Sequence, residues 1–140
     1  MADSVRIPTS TVSLISLNIT FHEEKNDTNE PVVTRELLNG IYKEASEGKQ
    51  KGMLIYSEQQ NVSSNLIGLP AAAIIEANDT HTRTGFLTLP GSFLQEYGIK
   101  DAPEITMPVT HAKIFGWYDN EFGSYVNMLG KLTMHVYDNL

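Results

Sequence analysis

The sequence predicts an α+β layer: one mixed or largely antiparallel sheet with helices packed on one face. Three observations carry that class. Apolar residues recur at strand spacing or in short runs at 12–21, 52–57, 71–77, 86–89 and 111–118. Two segments, beginning at Thr34 and near Asp119, carry apolar residues at helical spacing instead. Strands followed by separated helices suggest an α+β or α/β layer of this kind. With 140 residues, 41% of them apolar, the chain is long enough for a single domain spanning 1–140. A compact monomer of this length exposes roughly 7,000 Å².

The first strand, 12–21, puts Ile15, Leu17, Ile19 and Phe21 on one face and Ser16, Asn18 and Thr20 on the other. The adjacent pair Leu14 and Ile15 breaks the alternation and predicts a bulge. The polar run 22–30 closes the strand. Thr34 then stands as an N-cap for a helix running to Glu47, with Gly48 at its end. Leu37, Leu38, Ile41, Tyr42 and Ala45 form its apolar stripe. Gly40 weakens it by about 1 kcal/mol relative to alanine, which suggests close packing against the sheet. A short strand follows at 53–56, then a polar stretch and a small-residue strand at 71–77, where alanines point to close approach by another element.

Gly85, Pro90, Gly91, Gly98, Pro103 and Pro108 punctuate the segment 78–108. Within it the pattern predicts a strand or hairpin arm at 86–89 and one helical turn around 92–97. The last strand, 111–118, sets Ile114 and Tyr118 on one face against Phe115 and Trp117 on the other. Bulky residues on both faces call for cover on two sides, which the segment 78–108 would supply by folding back. Asp119 and Asn120 offer caps for a final helix. Its stripe is Tyr125, Met128, Leu129, Leu132 and Val136, and Glu121 falls in its first turn.

Ten Lys plus Arg stand against seventeen Asp plus Glu, for a net charge of −7. The basic residues are scattered along the chain, so nucleic acid is not an expected partner. No apolar segment reaches the length that crosses a bilayer and no signal-peptide pattern opens the chain, so a cytoplasmic protein is expected. Cysteine is absent, which excludes disulfides, thiolate metal sites and a cysteine nucleophile. The histidines assemble no expected metal site. His22 and Glu24 supply two ligands, too few for structural zinc. His81 and His111 approach one another only if 78–108 forms a hairpin, with Glu76, Asp79 or Glu104 as a third ligand. His135 suits the negative end of the final helix. Ser63-Ser64 lacks a nucleophile elbow. The Asn-x-Ser/Thr triplets at Asn18, Asn26, Asn61 and Asn78 read as by-products of composition.

The strongest local signal is Trp117-Tyr118-Asp119-Asn120-Glu121 followed by Phe122-Gly123. Read alone, it is a strand end with two competing caps, or an asparagine amide held rigidly enough to recognise another amide. With four further stretches it resembles the C-terminal part of the catalytic domain of glyceraldehyde-3-phosphate dehydrogenase. Those stretches are Val5-Arg6-Ile7-Pro8-Thr9 with Val12-Ser13, Glu47-Gly48 through Lys51-Gly52, Tyr56-Ser57-Glu58, and Val62-Ser63-Ser64-Asn65 with Ile67-Gly68. The segment 78–108 is longer than the family's usual connection there and reads as an insertion.

The resemblance implies that Arg6 falls on an arginine that holds a substrate or inorganic phosphate. It implies that Asn120 falls on the asparagine that bonds the nicotinamide carboxamide, in vestigial form here. Ser124 takes the place of a tyrosine beside the cofactor. The family's reaction needs a histidine-activated cysteine and a Rossmann domain. This chain has neither a cysteine nor a Gly-x-Gly-x-x-Gly. No catalytic residue and no cofactor of its own are therefore expected.

Three roles follow from the resemblance. The first is a non-catalytic, dehydrogenase-derived protein that acts by association, as a homo-oligomer or docked on a full-length dehydrogenase. The second is one subunit of a split dehydrogenase. The third is an anion-binding module built on Arg6.

Overall fold

The computed structural model describes residues 2–5, 11–22, 31–99 and 103–140. In chain order the elements are β1 (Ala2–Val5), β2 (Ser13–His22), α1 (Arg35–Glu47), β3 (Leu54–Ser57), α2 (Ser63–Leu66), β4 (Ala73–Glu76), β5 (His81–Leu89), α3 (Gly91–Glu96), β6 (Ile105–Tyr118) and α4 (Ser124–Asp138). A single 3-10 turn, Ala77–Asp79, joins β4 to β5. The strands form one sheet in the order β1-β2-β6-β4-β3, with β5 also paired to β6. Only β3 and β4 run parallel; every other pairing is antiparallel. The class is therefore α+β with a mixed, largely antiparallel sheet.

The fourteen-residue β6 is the spine of that sheet. β2 pairs along its length from Ser13 opposite Tyr118 to His22 opposite Val109, with no break in register. The expected bulge at Leu14 and Ile15 is absent. No bulge is needed because Leu14 is half-buried opposite Trp117 while Ile15, opposite Gly116, is left exposed. The other edge of β6 is shared. β4 pairs near its C-terminal end and β5 along its N-terminal part. From Ile75 to His81 the chain takes six steps against three from Gly116 to Lys113. The 3-10 turn absorbs the surplus.

α1 connects β2 to the far edge strand β3, so it must cross one face of the sheet. Thr34 caps it, its hydroxyl accepting from the Leu37 N–H at 3.1 Å. Leu38 enters a cluster with Ile75, Ala112 and Ile114, against which Leu17, Ile19, Phe21, Val33, Tyr42 and Leu54 pack. Leu37 and Ile41, expected on the buried stripe, are exposed. A Cβ at Gly40 would meet nothing within 4 Å, so no close packing requires that glycine. A second cluster of Val12, Leu66 and Ile74, with Ile55, Leu69 and Trp117, forms where α2 and the loop after it meet β3, β4 and β6. Val12 adopts φ +72° there, a conformation that is costly for a β-branched residue.

The segment 78–108 does not fold back as cover. It lengthens the sheet instead: β5 pairs β6 from His81 opposite Lys113 to Leu89 opposite Ile105, and α3 follows β5. Thr84 and Thr110 hydroxyls meet across the pair at 2.6 Å. Both strands are longer than their apolar patterns suggest, because Thr-rich stretches without strong alternation still complete a ladder once a partner is present.

Candidate functional site

Three features of the fold bear on function: the turn after β6, a buried carboxylate beneath Trp117, and the last helix. At the turn, Asp119 is fully buried. Its Oδ1 accepts from the N–H groups of Glu121 at 2.9 Å and Phe122 at 3.1 Å, and its Oδ2 accepts from Gly68 N–H at 2.8 Å. Its own N–H donates to Ser124 Oγ at 3.0 Å. Burial alone would raise this carboxyl's pKa. The backbone donors of Gly68, Glu121, Phe122 and Gly123 outweigh that effect and hold it below the usual carboxylate value.

Asp119 is therefore the knot of a reverse turn and not the cap of a helix. α4 begins later, at Ser124, with Gly123 as its unassisted N-cap. Glu121 consequently lies in the turn and not in the first helical turn, contrary to expectation. Gly123 is required by space: a Cβ there would stand 2.6 Å from the Leu69 carbonyl oxygen. Asn120 sits at the exposed tip of this turn. Arg6 lies outside the described residues.

Sequence reasoning missed the second feature. Glu76 is 3% exposed. Its carboxylate accepts from Trp117 Nε1 at 2.9 Å and from Asn61 Nδ2 at 3.0 Å to each oxygen. Asn61 Nδ2 also donates to Ser57 Oγ at 2.8 Å. This network ties the loop after β3 to β4 and β6. The only sequence signal was a sequon at Asn61, which says nothing of a buried acceptor. Asn78, likewise in a triplet, donates to the Glu58 carbonyl at 2.6 Å. Among the described residues no group of three or more His, Asp or Glu side chains is placed to hold a metal.

The third feature is α4. Its apolar stripe forms as expected, yet within the helix only Ser124 is buried. Leu129 is 65% exposed, Leu132 57% and Tyr137 75%. Its ties to the rest include the bond that Ser124 Oγ accepts from Asp119 N–H, the Tyr118–Tyr125 ring contact at 5.9 Å and a hydrogen bond from Lys131 Nζ to the Gly52 carbonyl. Asn139 Nδ2 donates to the His135 carbonyl at 2.7 Å and closes the helix C-terminus.

An open, largely antiparallel α+β sheet with a Trp-Tyr-Asp-Asn-Glu turn leading into its last helix defines a dehydrogenase-type catalytic-domain layer. Residues 1–89 match the family model described as glyceraldehyde 3-phosphate dehydrogenase, C-terminal domain. The cytosolic glyceraldehyde-3-phosphate dehydrogenase of Chlamydomonas reinhardtii is 32% identical over 131 residues, covering 94% of this chain and 29% of the relative. Glyceraldehyde-3-phosphate dehydrogenase 2 of Streptomyces avermitilis is 31% identical over 137 residues, covering 98% and 31%. Glyceraldehyde-3-phosphate dehydrogenase 1 of Bacillus subtilis is 31% identical over 133 residues, covering 95% and 30%. The chain belongs to the glyceraldehyde-3-phosphate dehydrogenase C-terminal-domain family. It spans about 30% of the length of the curated relatives it matches. Having no cysteine, it supplies no thiol nucleophile.

Proposed function

We propose that this chain is a non-catalytic, dehydrogenase-derived module that works by protein association, with α4 as its principal contact. The observation that supports this reading is an amphipathic helix whose apolar side lies in solvent. Tyr125, Leu129, Leu132 and Val136, which share one side of the helix, are all exposed. Soluble proteins seldom leave a contiguous apolar patch of more than a few hundred Å² uncovered. The partner proposed is a second copy of this chain or a full-length dehydrogenase, and the location proposed is the cytoplasm. No helix among the described residues is long and apolar enough to cross a membrane.

The test replaces the patch without touching the sheet. Light scattering on the purified chain and on Leu129→Glu/Leu132→Glu should show an oligomer for the first and a folded monomer for the second. Identical masses for the two, with and without added full-length dehydrogenase, would refute the assignment of α4. Asn120 is proposed as a vestigial nicotinamide contact and Arg6 as an anion contact. Calorimetry with NAD and phosphate on Asn120→Ala and Arg6→Ala tests each separately, the expected result being weak binding that each substitution removes.

A further inference from the structure

We propose that the outer edge of β5 pairs antiparallel with the same strand of a second copy of this chain, about a two-fold axis through Phe86. The sheet leaves this edge bare. β5 takes β6 on one side, over nine consecutive residues without a bulge, and among the described residues no strand takes the other side. Every second residue of a bare edge turns its N–H and C=O outward, a template that another strand completes. The sheet's remaining free edges are shorter. β1 and β3, at its two ends, have four residues each. On β2 the stretch beyond β1 runs only from Asn18 to His22. The free side of β6, beyond Val109, carries Pro108, a residue that deters strand pairing. β5 has no proline, no lysine and no carboxylate to protect it.

The occupant is a second copy because the strand is complementary to itself. With Phe86 on the axis and facing its own counterpart, Gly85 faces Leu87, Thr84 faces Thr88 and Arg83 faces Leu89. Opposed aromatic pairs and opposed threonines are favourable cross-strand combinations. β5 already makes the threonine pairing with β6, where Thr84 meets Thr110 at 2.6 Å and Thr88 meets Thr106 at 3.1 Å. A partner β5 extends the same rows outward and covers Phe86, which is 67% exposed. Like charges stay apart, since the two Arg83 side chains stand about 20 Å from each other along the strands. Ala112, which packs with Leu38 of α1, stands opposite Thr82. Thr82, Thr84, Phe86 and Thr88 therefore lie on the side of the sheet that α1 covers.

Size sets the strength of this contact. The paired span, 83–89, is about 24 Å long and about 10 Å thick, less than the roughly 800 Å² a side that a stable complex buries. Strand pairing at β5 is therefore weak by itself and leaves Leu129→Glu/Leu132→Glu monomeric at micromolar concentration. Chains gathered through α4 meet it at a higher local concentration. The two surfaces are otherwise independent, and failure of one does not remove the other.

Covalent capture reads a contact this weak. The chain has no cysteine, so a single introduced thiol closes a disulfide only with its own counterpart. Opposed residues of an antiparallel pair have Cα atoms about 4.5–5.5 Å apart, within disulfide reach. Phe86→Cys is oxidised with diamide at about 200 µM protein, in the unchanged chain and on the Leu129→Glu/Leu132→Glu background, and the products are separated without reductant. The disulfide dimer should form about tenfold faster than from Ile41→Cys, a comparably exposed site on α1. An equimolar mixture of Thr84→Cys and Thr88→Cys should give the mixed disulfide in excess over either symmetric one, and serves equally if Phe86→Cys does not fold. No advantage of Phe86→Cys over Ile41→Cys on the double-variant background, or a statistical yield from the threonine mixture, would overturn the inference. Suppression of the disulfide on that background by a full-length dehydrogenase with alkylated thiols would also overturn it, by making that protein the occupant of the edge.

Discussion

Asp119 is where a single residue decides most. It is fully buried and accepts backbone hydrogen bonds from two separate segments, at Gly68 and at Glu121 and Phe122. Asp119→Ala would strand those N–H groups, and urea titration at neutral pH should show a loss of about 2–3 kcal/mol. Its folded-state pKa lies below the ordinary carboxylate value, so the ionised form contributes stability above about pH 4. That contribution falls away as pH drops through the lowered value. Asp119→Ala should therefore lie closest to the parent chain in stability at the acid end of a pH series. A gap that stays constant from about pH 7 to about pH 3 would contradict this account. Gly123→Ala drives a methyl against the Leu69 carbonyl and Asp119, and thermal melting should register a cost of about 1–3 kcal/mol. The turn's importance was legible in the five-residue tag. Its geometry was not, because an Asp before a helical stripe reads equally as a helix cap or as the acceptor of a turn. Glu76 and Asn61 were less legible still, since a buried carboxylate served by neutral donors leaves no pattern along the chain.

At the level of elements, periodicity located α1, β2, β6 and α4 because each presents a face that the fold either buries or leaves amphipathic. β1 and the single turn α2 were missed, because neither contains the short apolar run that marks the equally short β3 and β4. The boundaries of β5 and β6 depend on their mutual pairing, which no local pattern contains. Burial was the larger miss. The stripe on α1 reads as five inward residues, but the helix buries Leu38, half-buries Tyr42 and Ala45, and leaves Leu37 and Ile41 outside. Gly40 was read as a packing requirement and has open space around it. Gly40→Ala should therefore raise stability by about 0.5–1 kcal/mol, read as a higher denaturation midpoint with an unchanged slope. A decrease would mean that the helix needs this glycine after all. On α4 the stripe was correctly placed, but nothing in one chain's sequence states whether its cover comes from within or from another molecule.

The whole molecule exposes 9,786 Å², against the roughly 7,000 Å² expected of a compact monomer of this length. The excess has visible sources. The core is divided into two small clusters, α4 stands largely in solvent, and the β5–α3–β6 arm carries exposed Phe86, Leu87, Phe93 and Tyr97. If the proposed association covers this apolar surface it stabilises the folded chain, so the melting temperature should rise with protein concentration. A melting temperature constant over a hundredfold dilution series would argue against that. The central claim is that the chain contributes surface and not turnover. It is tested most directly by sedimentation velocity of the unchanged protein over about 1–200 µM, alone and mixed with a full-length glyceraldehyde-3-phosphate dehydrogenase. The account predicts that the chain sediments as more than one 140-residue unit when alone, or moves with the dehydrogenase in the mixture. A monomer at every concentration that also fails to co-sediment with the dehydrogenase would contradict it.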